Sequence, residues 1–232
     1  MNIYLQIILL LASVLVGAAL VDLFRKKANF KLLLSFSGGF LLTIIFTHVL
    51  PESYELKGYT IGYFILAGFL LQLLLEYFSQ GAEHGHTHVH PGEHQFFPVA
   101  IFISLSLHAF IEVIPVNVHD HHHAGDLYWG VILHKIPEAI ALKTIFNAAG
   151  ISKTKSWFFV ALFSLMAPLG LISGEFVLNT LGLDPSWILG IAIGMFLHIS
   201  TTIIFESSEG HKMNMMKLIA ILLGFGVGLM VS

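Results

Sequence analysis

The 232-residue sequence contains no cysteine. Disulfides, thiolate metal sites and cysteine nucleophiles are therefore excluded together. Charge is scarce as well. Asp, Glu, Lys and Arg make up 11% of the chain against 56% apolar residues, whereas an ordinary soluble domain carries about 25% charged and roughly 45–50% apolar residues. So few charged side chains cannot cover a soluble surface of this size, which excludes a soluble globular enzyme and a disordered chain. The formal net charge is −3, and no basic tract is present to neutralise phosphates, so nucleic acid is not a partner. What remains is an all-α integral membrane protein whose first partner is the lipid bilayer.

At about 20 residues per crossing, apolar stretches fall at 3–24, 32–50, 60–78, 97–118, 127–146, 156–178, 186–205 and 215–231. The sequence thus predicts eight transmembrane helices. The first stretch lacks a basic n-region and a small-residue cleavage site, and reads as a retained helix, not a signal peptide. Orientation follows from lysine and arginine. Arg25, Lys26, Lys27 and Lys31 lie between spans one and two, Lys143, Lys153 and Lys155 at or near the loop between five and six, and Lys212 and Lys217 between seven and eight. The other side carries only Lys57, and Lys135 sits inside span five. That asymmetry places both termini on the non-cytoplasmic side. The connections are short, so 1–232 reads as a single transmembrane domain.

Histidine is over-represented. Fourteen histidines outnumber the eleven lysines and arginines, and imidazole is the commonest neutral metal ligand. The segment 79–98 holds His84, His86, His88, His90 and His94 among glycines and a proline, without a periodic apolar face, and reads as a flexible cytoplasmic loop. On the outer side, between spans four and five, stand His119, Asp120, His121, His122 and His123. These two histidine-rich loops suit metal capture and release, and a passive, solvated role equally well.

Ionisable residues at membrane depth are expensive unless paired or facing a cavity, and each is a functional candidate. Span four contains His108 and Glu112, and span five His134, Lys135 and Glu138. The i, i+4 spacing puts each His–Glu pair on one helix face, about 6 Å apart along the axis. Antiparallel neighbours joined by a short loop can bring the two faces together, forming a nitrogen–oxygen site suited to a divalent transition metal. A bound dication would also keep both carboxylates ionised in a low-dielectric bundle. Alone, each pair reads as readily as an interhelical hydrogen bond. Pro115, Pro137 and Pro168 free the carbonyls of Ile111, Leu133 and Ser164, which lipid tolerates only where they face protein or a wet cavity. Glu175 lies in span six. His48, ahead of Pro51 and Glu52 at the outer end of span two, reads equally as an interfacial and as a pathway residue. His198, followed by Ser200, Thr201 and Thr202, reads first as an interhelical contact and second as a pathway residue. Gly190, Gly194, Gly224, Gly226 and Gly228 read as close-packing positions, and the seven methionines as core filler.

These residues resemble the ZIP (Zrt/Irt-like) family of metal transporters. His108-Ala109-Phe110-Ile111-Glu112 matches the family's fourth-helix motif and His134-Lys135-Ile136-Pro137-Glu138 its fifth. Pro168-Leu169-Gly170 through Gly174-Glu175 is similar to the sixth-helix segment, and His48-Val49-Leu50-Pro51-Glu52 to the ending of the second. The resemblance implies a divalent-metal transporter, with zinc the usual cargo and iron, manganese or cadmium sometimes carried, moving metal into the cytoplasm with no resident cofactor. It also implies a 3+2+3 arrangement, helices one to three related to six to eight, and often a homodimer. In a bacterium the location would be the cytoplasmic membrane.

Two departures bear on the site. Many relatives hold two metals, the residue after each motif histidine supplying an oxygen to the second. Here those residues are Ala109, which cannot ligate, and Lys135, whose ammonium repels a second dication. One metal is expected, on His108, Glu112, His134 and Glu138, with Lys135 paired to Glu175 in place of a second ion; the alternative has Lys135 snorkelling away and Glu175 joining the metal. An intramembrane metalloenzyme using the same His/Glu site is the rival from another class. A zinc protease would normally show His-Glu-x-x-His, which is missing, and a sensor would usually carry a soluble output domain, which the sequence lacks.

Overall fold

In lipid every backbone polar group must be satisfied within the chain, and apolar runs of this length do so as helices. The computed structural model describes residues 2–24, 30–79, 81–82, 98–117, 124–182, 184–206 and 214–231. Helices α1 (Ile3–Leu23), α2 (Phe30–Ile44), α3 (Leu50–Lys57), α4 (Thr60–Ser79), α5 (Val99–Ile111), α6 (Ala124–Ala148), α7 (Lys153–Ser164), α8 (Met166–Leu181), α9 (Pro185–Glu206) and α10 (Met215–Val231) follow in order, with no strand among the described residues. Asn2, Asp184 and Asn214 cap the starts of α1, α9 and α10, each accepting from a backbone N–H two residues on at 2.9 Å. Gly182, at φ 61°, closes α8 in the left-handed conformation.

Helix falls within each of the eight predicted stretches among the described residues, but six segments combine the length and hydropathy of a membrane crossing: Ile3–Leu23, Phe30–Lys57, Thr60–Ser79, Val99–Val116, Lys153–Gly174 and Pro185–Phe205. The difference lies in α10, which is apolar but only 17 residues long, and in α6, where Asp126, Lys135, Glu138 and Lys143 interrupt 25 helical residues. The long crossings are also broken. A π-helical turn, Ile45–Val49, joins α2 to α3 just before Pro51. Helix α7 stops at Ser164, whose carbonyl Pro168 cannot bond. Past α5, Pro115 lies in a 3₁₀ turn, Ile114–Asn117, while Pro137 is absorbed within α6.

Helix α2 packs along α10, α4 along α9, α1 along α6, and α5 against α8. Glycines let these axes close: a methyl at Gly194 of α9 would lie 1.9 Å from Ile65 O of α4. Gly190, Gly224 and Gly228 also meet neighbouring helices, but Gly226 has nothing within 4 Å of its would-be Cβ and is no packing position. Lys143 departs from the sequence reading as well. It belongs to α6, not to a loop surface, and is fully buried.

Two apolar clusters fill the bundle. One includes Val113 and Val116 after α5 with Leu127, Val131 and Ile132 of early α6. The other includes Leu105 and Ala109 of α5 with Ala139, Leu142 and Phe146 of late α6. The stretches where the two clusters meet, 108–112 and 134–138, carry the paired motifs, with Ala109 itself part of the second cluster.

Candidate metal site

The i, i+4 periodicity of α5 puts His108 and Glu112 on one face, Glu112 ending the helix with its N–H on the His108 carbonyl at 3.1 Å. On α6 one turn separates His134 and Lys135 from Glu138. His108, Glu112, His134, Lys135 and Glu138 are all 0% exposed, sealed by the two apolar clusters. One ligand atom each from His108, His134 and Glu138 falls within 4.8 Å of the others. The two rings stand 6.0 Å apart at 81°, and His108 Nε2 is 3.0 Å from Glu112 Oε2. Tetrahedral zinc, with bonds of about 2.0–2.2 Å, needs ligand atoms about 3.3 Å apart. His108, His134 and Glu138 already approach that spacing, while Glu112 meets the group through His108.

Lys135 is the cation among them. Its Nζ forms ion pairs with Glu112 Oε1 and with Glu138 Oε2, and lies 5.8 Å from the centre of the Phe163 ring. Lys135 donates a hydrogen bond to Glu138 Oε2, whereas neither Glu112 oxygen has the alignment of a hydrogen bond, so the Glu112 contact is electrostatic. By formal charge, two carboxylates and one ammonium leave the cluster net negative, and its side chains have no exposed surface. Glu175, the expected partner of Lys135, is on α8, with its side chain outside the described residues.

The other predicted residues stand elsewhere. His48 is on the π-helical turn, half-buried, with its Nδ1 2.7 Å from Thr47 Oγ1. Glu52 follows in α3. His198 of α9 pairs through Nε2 with Glu76 of α4 and meets the edge of Phe69 at 4.8 Å. His84, His86, His88, His90 and His94 lie outside the described residues, as do His119, Asp120, His121, His122 and His123.

Sequence reasoning missed Gln72 and Glu76. Gln72 is fully buried, and its Oε1 lies 2.9 Å from His108 Nδ1. One turn on, Glu76 meets His198. The signal was present, since 72 and 76 share the i, i+4 spacing of the two motifs in an otherwise apolar run. A second missed group joins α1, α6 and α7. Lys143 donates to Ser156 Oγ at 2.8 Å and lies 4.9 Å from the Trp157 ring centre and 3.9 Å from Asp22. Trp157 Nε1 donates to Asp22 at 2.9 Å, with Lys153 at 3.5 Å. At the ends of two spans, Lys57 hydrogen-bonds Asp184, which lies just outside Pro185–Phe205, and holds its carboxyl below the usual range.

An all-helical bundle with several membrane-length segments, enclosing a dry histidine–carboxylate cluster, defines a multi-pass membrane protein built to handle a metal ion. Residues 79–232, about two thirds of the chain, match the ZIP zinc transporter family, and the chain belongs to that family. It is a membrane transporter and not an enzyme. Zinc transporter ZIP1 of Danio rerio is 23% identical to it over 257 residues, covering 87% of this chain and 84% of the relative.

Proposed function

We propose that the protein moves a divalent transition metal, zinc first, into the cytoplasm through one site made by His108, Glu112, His134 and Glu138. The observation that carries this reading is the gathering of two imidazoles and two carboxylates on α5 and α6 with no exposed surface. Between ions, the Lys135 ammonium occupies the carboxylates; an arriving dication displaces it. With Ala109 and Lys135 at the flanking positions, one ion binds at a time, and Glu175 is the reserve ligand on α8. Iron(II), manganese and cadmium are the alternative cargoes of such a donor set.

Eight spans, a 3+2+3 arrangement and outward termini complete the proposal. The packing supports it: exchanging spans one to three with six to eight turns the α2–α10 pair into the α9–α4 pair, and both pairs are close. His48 and Glu52 mark the outer approach, with His119, Asp120 and His121–His123 as collectors. Glu76 and His198 mark the inner route, toward the 79–98 loop. A homodimer in the cytoplasmic membrane is the expected state in a bacterium.

The test is uptake of radioactive zinc into proteoliposomes by wild type and Glu138→Ala, with iron(II) and manganese as competitors. Wild-type uptake lost in the variant is the expected result, and competition ranks the cargoes. Wild-type protein that binds zinc but moves none would overturn the proposal.

A further inference from the structure

We infer that Gln72 is a positioning residue for metal binding: its amide oxygen fixes the His108 ring so that Nε2 faces the ion. The inference rests on His108 being a ligand, as proposed above. Gln72 Oε1 lies 2.9 Å from His108 Nδ1, and neither side chain has exposed surface. An amide oxygen only accepts, so Nδ1 carries the hydrogen, and a neutral imidazole then keeps its lone pair on Nε2. That nitrogen is the one 3.0 Å from Glu112 Oε2. Turning the amide over would place N–H groups against Nδ1, take its lone pair, and put the ring hydrogen where the ion binds. Holding a metal-binding histidine by its second nitrogen fixes both its tautomer and its orientation.

Two further features separate this role from plain packing. Gln72 comes from α4, a helix that supplies no proposed ligand, so its contact braces α5 from outside the ligand pair. Its Nε2 has no hydrogen-bond partner among the described residues. The amide therefore makes its one polar contact with His108 and leaves its other end unmatched in a buried place, where a leucine would fill the space without that cost. Packing alone does not select a glutamine here.

The experiment measures zinc Kd by titration of purified protein and zinc KM in proteoliposomes for wild type, Gln72→Leu and Gln72→Glu, repeating the titration for His108→Ala with and without Gln72→Leu. Gln72→Leu is expected to weaken zinc binding about 10–100-fold, the usual effect of losing such a partner, and to raise KM accordingly. Gln72→Glu keeps an acceptor and holds affinity at wild type or better. In the His108→Ala background the leucine adds no further loss, because its effect runs through that ring. Equal losses in both backgrounds, or an unchanged Kd in Gln72→Leu, would overturn the inference. Were wild type to bind zinc without transporting it, the transport proposal would fail while the titrations still decided the role of Gln72.

Discussion

Lys135 pairs with Glu138 one turn along α6, and neither has any exposed surface. Glu112 reaches the same ammonium from α5, so one lysine holds both motif carboxylates. Removing one partner of a buried ion pair costs about 3–5 kcal/mol. Lys135→Met should therefore destabilise the metal-free protein by about that amount. Zinc replaces the lost positive charge, so adding it should raise the melting temperature of the variant more than that of wild type. Thermal unfolding in detergent, with zinc and with chelator, measures both effects. Equal metal-free stability of the two proteins would show that the ammonium does not hold the carboxylates.

The two helices that carry the proposed ligands are seated by glycines at the level of the cluster. A methyl on Gly17 of α1 would lie 2.4 Å from Ile136 O, and one on Gly170 of α8 would lie 2.1 Å from Phe110 O. Both clashes are with backbone two residues from proposed ligands. Gly170→Ala should cost about 1–3 kcal/mol by overpacking and also lower zinc uptake, because α5 must shift. Gly226→Ala, with open space around it, should leave both unchanged. Unfolding midpoints and uptake rates of the two variants make the comparison, and equal behaviour would remove Gly170 from the support of α5.

The motif residues were legible because the signal is local: a histidine and a glutamate four apart in an apolar helix must share a face. The family match agrees with the resemblance read from those strings. Gln72 and Glu76 carry the same spacing but lack the His–Glu signature, so their relation to His108 and His198 needed the packing of α4 against α5 and α9. The partners of Lys135 were hidden for the same reason. Its side chain can reach along its own helix to Glu138 or across to another, and spacing alone does not choose. Lys143 shows the limit of charge counting, since a lysine five residues from a helix end reads as a loop cation until Asp22 is found beside it.

Lys57 and Asp184 tie the end of α3 to the start of α9 at the ends of two spans. The ammonium lowers the folded carboxyl below its ordinary 3.8. A carboxylate depressed in the folded state stabilises above its unfolded value and loses that contribution as pH falls through the folded one. The melting-temperature difference between wild type and Asp184→Asn should therefore be constant from neutral pH down to about 4 and close below it. Both side chains are partly in solvent, so the difference is small and should shrink with salt. A difference that instead grows on acidification would rule out this carboxylate as its source.

Asp22 and Lys143 give an asymmetric prediction. Lys143 is fully buried, while Asp22 also has Lys153 at 3.5 Å and the Trp157 N–H at 2.9 Å. Asp22→Asn leaves the buried ammonium without a carboxylate and should cost about 3 kcal/mol or more. Lys143→Met leaves Asp22 with two partners and replaces a buried charge by an apolar chain of similar length, so its cost should be about 1 kcal/mol or less. Lys143 lies eight residues, about 12 Å, along α6 from Lys135, so zinc KM should hold at the wild-type value in whatever fraction stays folded. Chemical unfolding of both variants beside zinc uptake tests the asymmetry. Equal costs would mean that Lys143 is held by Ser156 and the Trp157 ring, and Asp22 would then serve Lys153 alone.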